Sequence, residues 1–285
     1  HAKTVVLANE HAHYTHSRMS EVLGMPFQAV ASTENGSMDL IALETMLKEL
    51  RSEGVNATVV ATLGTTGMGA VDALEDIVPL AHTYDARIHV DAAYGGYFTL
   101  ANLPFNSLRH FNAMSSANSI VIDPHKHGLQ PYGCGAVLFK NPEEGRFYKH
   151  DSPYTYFTSD QLHLGEITLE CSRAGAAAAA LWATQQKFPY VRSGAFAKRL
   201  NASLEAAQGL KRSLIAKDWW VLESELDICV FSLPGVKASE ISALNRAFFE
   251  QKAKENLHLA LFSLPQRNCP WQIKWDIPSL TVVRS

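Results

Sequence analysis

Two short apolar segments of the sequence each end in residues that could do chemistry. Ile88–Val90 is followed directly by the acid Asp91, and Ser119–Ile122 is followed by the tetrapeptide Asp-Pro-His-Lys, which ends at Lys126. Both segments have the length and composition of buried strands. Ligands of open α/β sheets bind beyond the carboxyl ends of the strands, so the acid and the lysine are candidates for one site.

The two residue types suggest a particular chemistry. A lysine amine in a crevice can form a Schiff base with a carbonyl compound, and a carboxylate can hold the pyridinium nitrogen of pyridoxal phosphate, PLP. Taken singly, Lys126 is better explained as a solvated loop lysine and Asp91 as a turn former. The combination favours a site, because Ala92–Ala93 and Gly95–Gly96 let a flat ring approach the backbone and Pro124 fixes the turn before the lysine.

At these residues the chain resembles the group II PLP-dependent amino acid decarboxylases, which have fold type I. The resemblance lies in HVDAAYGG and in Asp-Pro-His-Lys, whose lysine comes 35 positions after Asp91. It implies that Lys126 holds the cofactor as a Schiff base and that Asp91 pairs with the pyridine nitrogen. Ala93 would lie under one ring face, and His125 would contact the cofactor beside the lysine. The implied reaction is decarboxylation of an L-amino acid to its amine and CO2.

Further segments match the same family in the same order. A His-x-His-x-x-His group at positions 11–16 could suggest zinc, but no second group with metal-site spacing follows, so we expect no metal. The resemblance instead makes His13 the histidine that stacks on the ring. The loop 64–72 follows a strand and is rich in glycine, yet it has neither the P-loop lysine nor GxGxxG spacing. By resemblance Thr66 lies near the cofactor there, and Ser119 is a further candidate contact.

The proton donor is sought in the polar, aromatic stretch 148–165, which reads as a long loop. The resemblance implies a loop tyrosine that returns a proton to the intermediate, often in the neighbouring subunit's site. Tyr154 and Tyr156 are the candidates. The alternative is that both tyrosines pack at a dimer interface.

The order of elements predicts an α/β protein with a mainly parallel sheet and helices on both faces. Apolar spacing predicts an amphipathic helix over Met38–Leu50 and a strand over Val59–Leu63. The segment after residue 190 reads as a smaller α+β unit. We therefore expect a PLP-binding large domain over 1–190, and a connecting helix with a C-terminal domain over 191–285. The resemblance places the family's main phosphate-binding loop upstream of His1.

The amino-acid composition argues against nucleic acid and membranes as binding partners. The 285 residues carry a net charge of −3, with no basic block for nucleic acid or anionic lipid and no apolar run that could cross a bilayer. Four cysteines without CxxC spacing favour free thiols in a reducing cytoplasm. The resemblance adds a homodimer with sites near the subunit interface, and a small amino acid as substrate.

Two alternatives stay open at this point. A PLP-dependent carbon–carbon lyase or an aldehyde-forming relative would use the same acid and lysine. A non-catalytic subunit could keep the fold without the chemistry, although the joint presence of His13, Asp91, His125 and Lys126 argues against it. Aspartate, glutamate, tyrosine or another amino acid would each be compatible with the sequence.

Overall fold

The computed structural model describes residues 3–150, 164–167 and 175–285. In this part of the chain the strands form two separate sheets, one of six strands and one of four. The strands are β1 (Thr4–Asn9), β2 (Phe27–Val30), β3 (Asn56–Thr62), β4 (Arg87–Asp91), β5 (Ser119–Ile122), β6 (Ala136–Phe139), β7 (Trp220–Val221), β8 (Val230–Ser232), β9 (Ala260–Pro265) and β10 (Ser279–Arg284). The α-helices are α1 (Thr15–Val22), α2 (Leu40–Ser52), α3 (Leu74–Thr83), α4 (Phe105–Asn112), α5 (Leu164–Ile167), α6 (Ala176–Lys187), α7 (Ala195–Ile215) and α8 (Ala238–Lys254).

The six-stranded sheet has the order β2-β1-β3-β4-β5-β6 and is parallel except for β6. Its strands alternate with helices along the chain, and helix residues such as Leu43, Ile77 and Phe111 share one core with strand residues such as Val59 and Val90. Parallel strands joined by helical crossovers define an α/β architecture. The fold class predicted from the sequence is confirmed.

Local sequence explains where α2 begins and how it packs. Asp39 precedes the helix and accepts hydrogen bonds from the backbone N–H groups of Ile41 (2.8 Å) and Ala42 (3.1 Å), which leaves fewer helix donors unpaired. Leu43, Leu47 and other apolar residues at helical spacing face the core. The helix thus begins two residues later than the sequence pattern predicted, because the acid at position 39 serves as its cap.

The four-stranded sheet has the order β7-β8-β10-β9 and is antiparallel throughout. Helix α8 packs on it through Ala238 and Ile241, which share a core with Val230, Leu264 and Val282. The two sheets are joined along the chain by α7. None of the helices in the described ranges combines the length and the apolar character needed to cross a bilayer.

A buried carboxylate, Asp72, ties together the ends of neighbouring elements in the large sheet. Its Oδ1 accepts hydrogen bonds from Asn9 Nδ2 (2.8 Å) and from the backbone N–H of Met38 (2.6 Å), while its Oδ2 accepts from the backbone N–H of Thr62 (2.7 Å). Burial raises the pKa of Asp72 to about 6, against the opposing effect of these three donors. The loop that follows β3 is therefore held in place from three sides.

Candidate active site

A cavity of about 260 Å³ lies at the carboxyl ends of β3, β4 and β5. These are the central parallel strands, and their ends meet at one edge of the sheet. The lining comes from the segments that follow β1, β3, β4 and β5, and it is rich in polar and titratable side chains. Its residues are His13, Thr15, His16, Thr62, Gly64, Thr66, Asp91, Ala93, Tyr94, Val121, Asp123 and Lys126.

Asp91 is the last residue of β4, and its carboxylate is held from two directions. Oδ1 accepts a hydrogen bond from the backbone N–H of Ala93 (3.1 Å), and Oδ2 lies 2.8 Å from Nε2 of His16. Burial acts to raise the pKa of Asp91, but the hydrogen bond and charge of His16 outweigh it, and the pKa lies below its usual value. A buried, ionised carboxylate thus faces the cavity.

His16 is also in contact with a second histidine from the sheet. The ring of His89, on β4, meets it edge-on with 6.2 Å between the ring centroids. Burial lowers the pKa of His89, and the charge of His16 adds to this effect. Nδ1 of His89 in turn lies 2.8 Å from the hydroxyl oxygen of Ser119. The structure therefore places Ser119 at the start of β5, bonded to His89, and outside the group of residues that line the cavity.

Lys126 reaches the cavity from the turn that follows β5. Its Nζ forms an ion pair with Oδ2 of Asp123 at 3.0 Å, and about a third of its side chain is exposed (34%). Lys126 also lines a neighbouring cavity of about 400 Å³ together with His127, Arg199 and Ser203. The Lys126 side chain therefore borders two cavities.

His125, the neighbour of Lys126, is not among the residues that line the cavity. Its Nδ1 lies 2.7 Å from the backbone carbonyl oxygen of Cys134, its Nε2 lies 3.7 Å from Oδ2 of Asp123, and its ring packs near Tyr132. These contacts fix the turn that carries Lys126. Of these contact partners, Asp123 is the one that lines the cavity, so His125 is linked to the site by its contact with Asp123.

The remaining predicted residues of the described chain, His13, Thr66 and Ala93, all line the cavity. Close backbone packing explains the small residues beside them. A Cβ atom at Gly95 would lie 2.0 Å from the carbonyl oxygen of Leu63, and Gly64 has a φ of +101°, a conformation that L side chains rarely adopt. The loop after β3 and the segment after Asp91 can approach each other only with glycine at these positions.

Tyr94 connects the cavity to the second half of the chain. Its hydroxyl donates a hydrogen bond to Oδ1 of Asp227 (2.6 Å), which also lies 3.7 Å from Nε2 of His127. Ser203, on α7, donates to the other carboxylate oxygen of Asp227. Asp227, which lies far along the sequence, thereby holds Tyr94 in the cavity wall and contacts His127, the residue after Lys126.

The structure thus brings His13, Thr66, Asp91, Ala93 and Lys126 to one cavity, and it places His125 and Ser119 beside that group. Tyr154 and Tyr156 lie outside the described residues. Sequence reasoning missed His16, Tyr94 and Asp123 as lining residues. No signal in the sequence distinguished His16, which lies in the first turn of α1, from the neighbouring histidines.

The histidines at positions 11–16 turn to different partners. His11 Nε2 lies 3.0 Å from Oδ1 of Asn268, Nδ1 of His13 accepts a hydrogen bond from the backbone N–H of Thr15 (3.3 Å), and His16 binds Asp91. Among residues 3–150, 164–167 and 175–285, no cluster of three potential metal ligands is present. This segment serves the cavity and its walls.

Comparison with known proteins identifies the family. The sequence profile described as "Pyridoxal-dependent decarboxylase conserved domain" matches residues 1–233, well over half of the chain. The chain belongs to this family. The cofactor expected from the sequence, a pyridoxal phosphate, agrees with the one that the family's description names.

Curated relatives carry the names of amino acid decarboxylases. The chain is 36% identical over 162 residues to L-2,4-diaminobutyrate decarboxylase of Acinetobacter baumannii, covering 55% of this chain and 31% of the relative. It is 31% identical over 241 residues to L-tyrosine decarboxylase of Enterococcus faecium, covering 71% of this chain and 39% of the relative. The match thus spans less than half the length of each of these two relatives.

Solved structures share the fold. A crystal structure of Oryza sativa TDC with PLP and tryptamine superposes with a TM-score of 0.84 at 16% identity, covering 99% of this chain and 58% of that one. At this identity the likeness is one of fold. It places the pyridoxal-dependent decarboxylase family member described here in the same α/β architecture.

The residues of the cavity fit a pyridoxal group by the chemistry of their side chains. Asp91 offers a buried carboxylate for a ring nitrogen, and Lys126 offers an accessible amine for an aldehyde. Thr62 adds a hydroxyl oxygen that is buried without a hydrogen-bond partner in the described part of the chain. Buried polar atoms are nearly always paired in folded proteins, so this hydroxyl fits a site that takes a polar ligand.

Proposed function

We propose that this chain carries the cofactor-binding core of a PLP-dependent enzyme that decarboxylates an L-amino acid to its amine and CO2. The observation that carries the proposal is the convergence of Asp91 and Lys126 on one cavity at the ends of two adjacent strands. An ionised acid for the ring nitrogen and an amine for the aldehyde are the two groups that this chemistry requires of a protein. The family match supports the same assignment.

In this proposal the protein's residues hold and orient the cofactor. Lys126 would hold the cofactor through its aldehyde, Asp91 would keep a proton on the ring nitrogen, and His13 and Ala93 would contact the ring. Thr66 would contact the cofactor from the loop after β3. His125 would act on the site through its contact with Asp123, and Ser119 through its hydrogen bond with His89. When bound, PLP supplies an electron sink for the charge left on Cα by loss of CO2.

The remaining parts of the proposal follow from the family resemblance. Tyr154 or Tyr156 returns the proton to Cα, and the enzyme is a cytoplasmic homodimer with its sites near the subunit interface. Residues 1–190 form the large PLP-binding domain and residues 191–285 the connecting helix and small domain. The free thiols of Cys134, Cys229 and Cys269 are compatible with a reducing compartment.

The test is covalent trapping of the cofactor. The purified chain is incubated with PLP, reduced with borohydride, and mapped by peptide mass spectrometry. We expect a pyridoxyl group on Lys126 and none on Lys140, an exposed lysine that follows β6 and does not line the cavity. A screen of L-amino acids for CO2 release then identifies the substrate.

The possible results separate the alternatives. An adduct on Lys126 with CO2 release supports the proposal as stated. An adduct on Lys126 together with aldehyde or carbon–carbon cleavage products would reassign the reaction while keeping the site. A pyridoxyl group spread over surface lysines, with Lys126 unmodified, would contradict the cofactor site itself.

A further inference from the structure

Among the described residues that line the cavity, His16 is the one whose side chain binds Asp91 directly, and the family resemblance assigns it no role. It lies in the first turn of α1, and its Nε2 is 2.8 Å from Oδ2 of Asp91. Both side chains are largely buried, with 13% of His16 and 8% of Asp91 exposed. A hydrogen bond to a buried carboxylate is shielded from water and is among the stronger kinds in proteins.

The contact restricts how Asp91 can move. With His16 on Oδ2 and the backbone N–H of Ala93 on Oδ1, a rotation of the carboxylate would break at least one bond. Each carboxylate oxygen has further lone pairs, so both bonds leave acceptor capacity toward the cavity. His89 packs against the outer edge of His16, held by its own bond to Ser119, and limits the imidazole's freedom.

We propose that His16 is a positioning residue that holds Asp91 ionised and aimed at the ring nitrogen of the cofactor. This inference rests on the proposed function, because the ring nitrogen is the group that Asp91 is there to bind. His16 itself acts through Asp91. Its loss should therefore weaken only those interactions of the cofactor that involve the ring nitrogen.

A pair of ligands tests this directly. PLP is compared with its deaza analogue, in which a C–H group replaces the ring nitrogen, and affinities are measured by quenching of tryptophan fluorescence. The variants are His16→Val, which removes the donor, and His16→Gln, whose amide can replace it. His11→Gln is the matched control, because His11 is a half-buried histidine of the same segment that binds Asn268 instead of Asp91.

We expect His16→Val to weaken PLP binding about tenfold, the size of one hydrogen bond to a charged group. The deaza analogue should bind His16→Val as it binds the parent, and His16→Gln should recover most of the affinity for PLP. An equal loss for both ligands would mean that His16 merely shapes the cavity and would overturn the proposal. Tighter PLP binding by His16→Val would overturn it as well.

A measurement without cofactor separates this inference from the proposed function. In the cofactor-free chain we expect a slowly exchanging imidazole N–H resonance of His16 by NMR, lost in Asp91→Ala and kept in His11→Gln. If the parent binds neither ligand, the proposed cofactor site fails while this resonance still reports the His16–Asp91 bond. If the resonance is missing from the parent, the positioning role fails even where PLP binds.

Discussion

Buried polar side chains have different roles in the two sheets. One region is the edge of the parallel sheet where β3, β4 and β5 end, and the other is the antiparallel sheet of β7–β10. At the parallel edge, Asp91 and Thr62 line a cavity, and the hydroxyl oxygen of Thr62 has no hydrogen-bond partner in the described part of the chain. Beside the antiparallel sheet, the side-chain amide of buried Asn245 on α8 forms its hydrogen bonds with other groups of the protein. It donates to Ser232 Oγ and to the carbonyl oxygen of Thr281, both at 2.8 Å, and accepts from the backbone N–H of Leu233 at 3.0 Å.

The topology of each sheet explains the contrast. Parallel strands all leave the sheet at the same edge, so the residues that follow them collect in one place and can form a site. Antiparallel strands leave at alternate edges, so the residues that follow them are divided between the two ends of the sheet. Buried Asn245 bonds within the protein and joins helix α8 to the sheet. Substitutions at the two places should therefore fail in different ways.

The largest effect is expected at Lys126. Lys126→Ala should abolish both the borohydride-stable adduct and CO2 release, because Lys126 is the one lysine among the described residues that line the cavity. Its side chain is one-third exposed and its ammonium pairs with Asp123 near the surface, so the free energy of unfolding should change by less than about 1 kcal/mol. Urea unfolding and a CO2-release assay provide the two readings, and retained turnover would contradict the Schiff-base assignment.

Asp91 is the next test of the parallel edge. Asp91→Asn should leave Lys126 able to form its adduct but lower the rate of CO2 release on the order of a hundredfold or more, because the ring nitrogen loses its anionic partner. Asp85→Asn is the matched control, an acid-to-amide change at an exposed turn residue. Turnover numbers for both variants decide the matter, and a near-normal rate in Asp91→Asn would show that another group holds the ring proton.

A substitution beside the antiparallel sheet should change the free energy of unfolding rather than the chemistry at the cavity. Asn245→Ala leaves the N–H of Leu233 and the carbonyl of Thr281 buried without their partner, which should lower the free energy of unfolding by about 2–4 kcal/mol. The folded fraction should still form the adduct at Lys126. Gln251→Ala, an exposed change on the same helix, serves as the control. Equal destabilisation by the two changes would remove the distinction between the sheets.

The smallest effect concerns pH and the buried acid Asp72. Burial raises its pKa from 3.8 to about 6 in the folded state, so the folded chain holds this proton more tightly than the unfolded chain does. Its contribution to stability is therefore greatest below about pH 4 and declines as pH rises toward 6, by at most about 1.4 kcal/mol per pH unit. Asp72→Asn should remove that slope from the difference between variant and parent in urea titrations across this range. An unchanged slope would place the Asp72 pKa near its ordinary value.

The sequence by itself determined the class of fold, the family and five of the residues that meet at the cavity. These followed from local information: apolar strands that end in Asp91 and in the turn before Lys126, glycines at close approaches, and a histidine segment with the right order. Such features can be recognised in the sequence because they depend on residues that are neighbours in the chain.

Tertiary structure alone decided which side chains bind one another. Register places Ser119 opposite His89, at the amino-terminal end of β5, so it bonds to the sheet and lies outside the cavity lining. The turn of α1 brings His16 to Asp91, 75 positions away, and α7 lies where Tyr94 and Ser203 can share Asp227. These contacts depend on strand pairing and on helix packing between distant segments, and the spacing of residues along the chain carries no record of them.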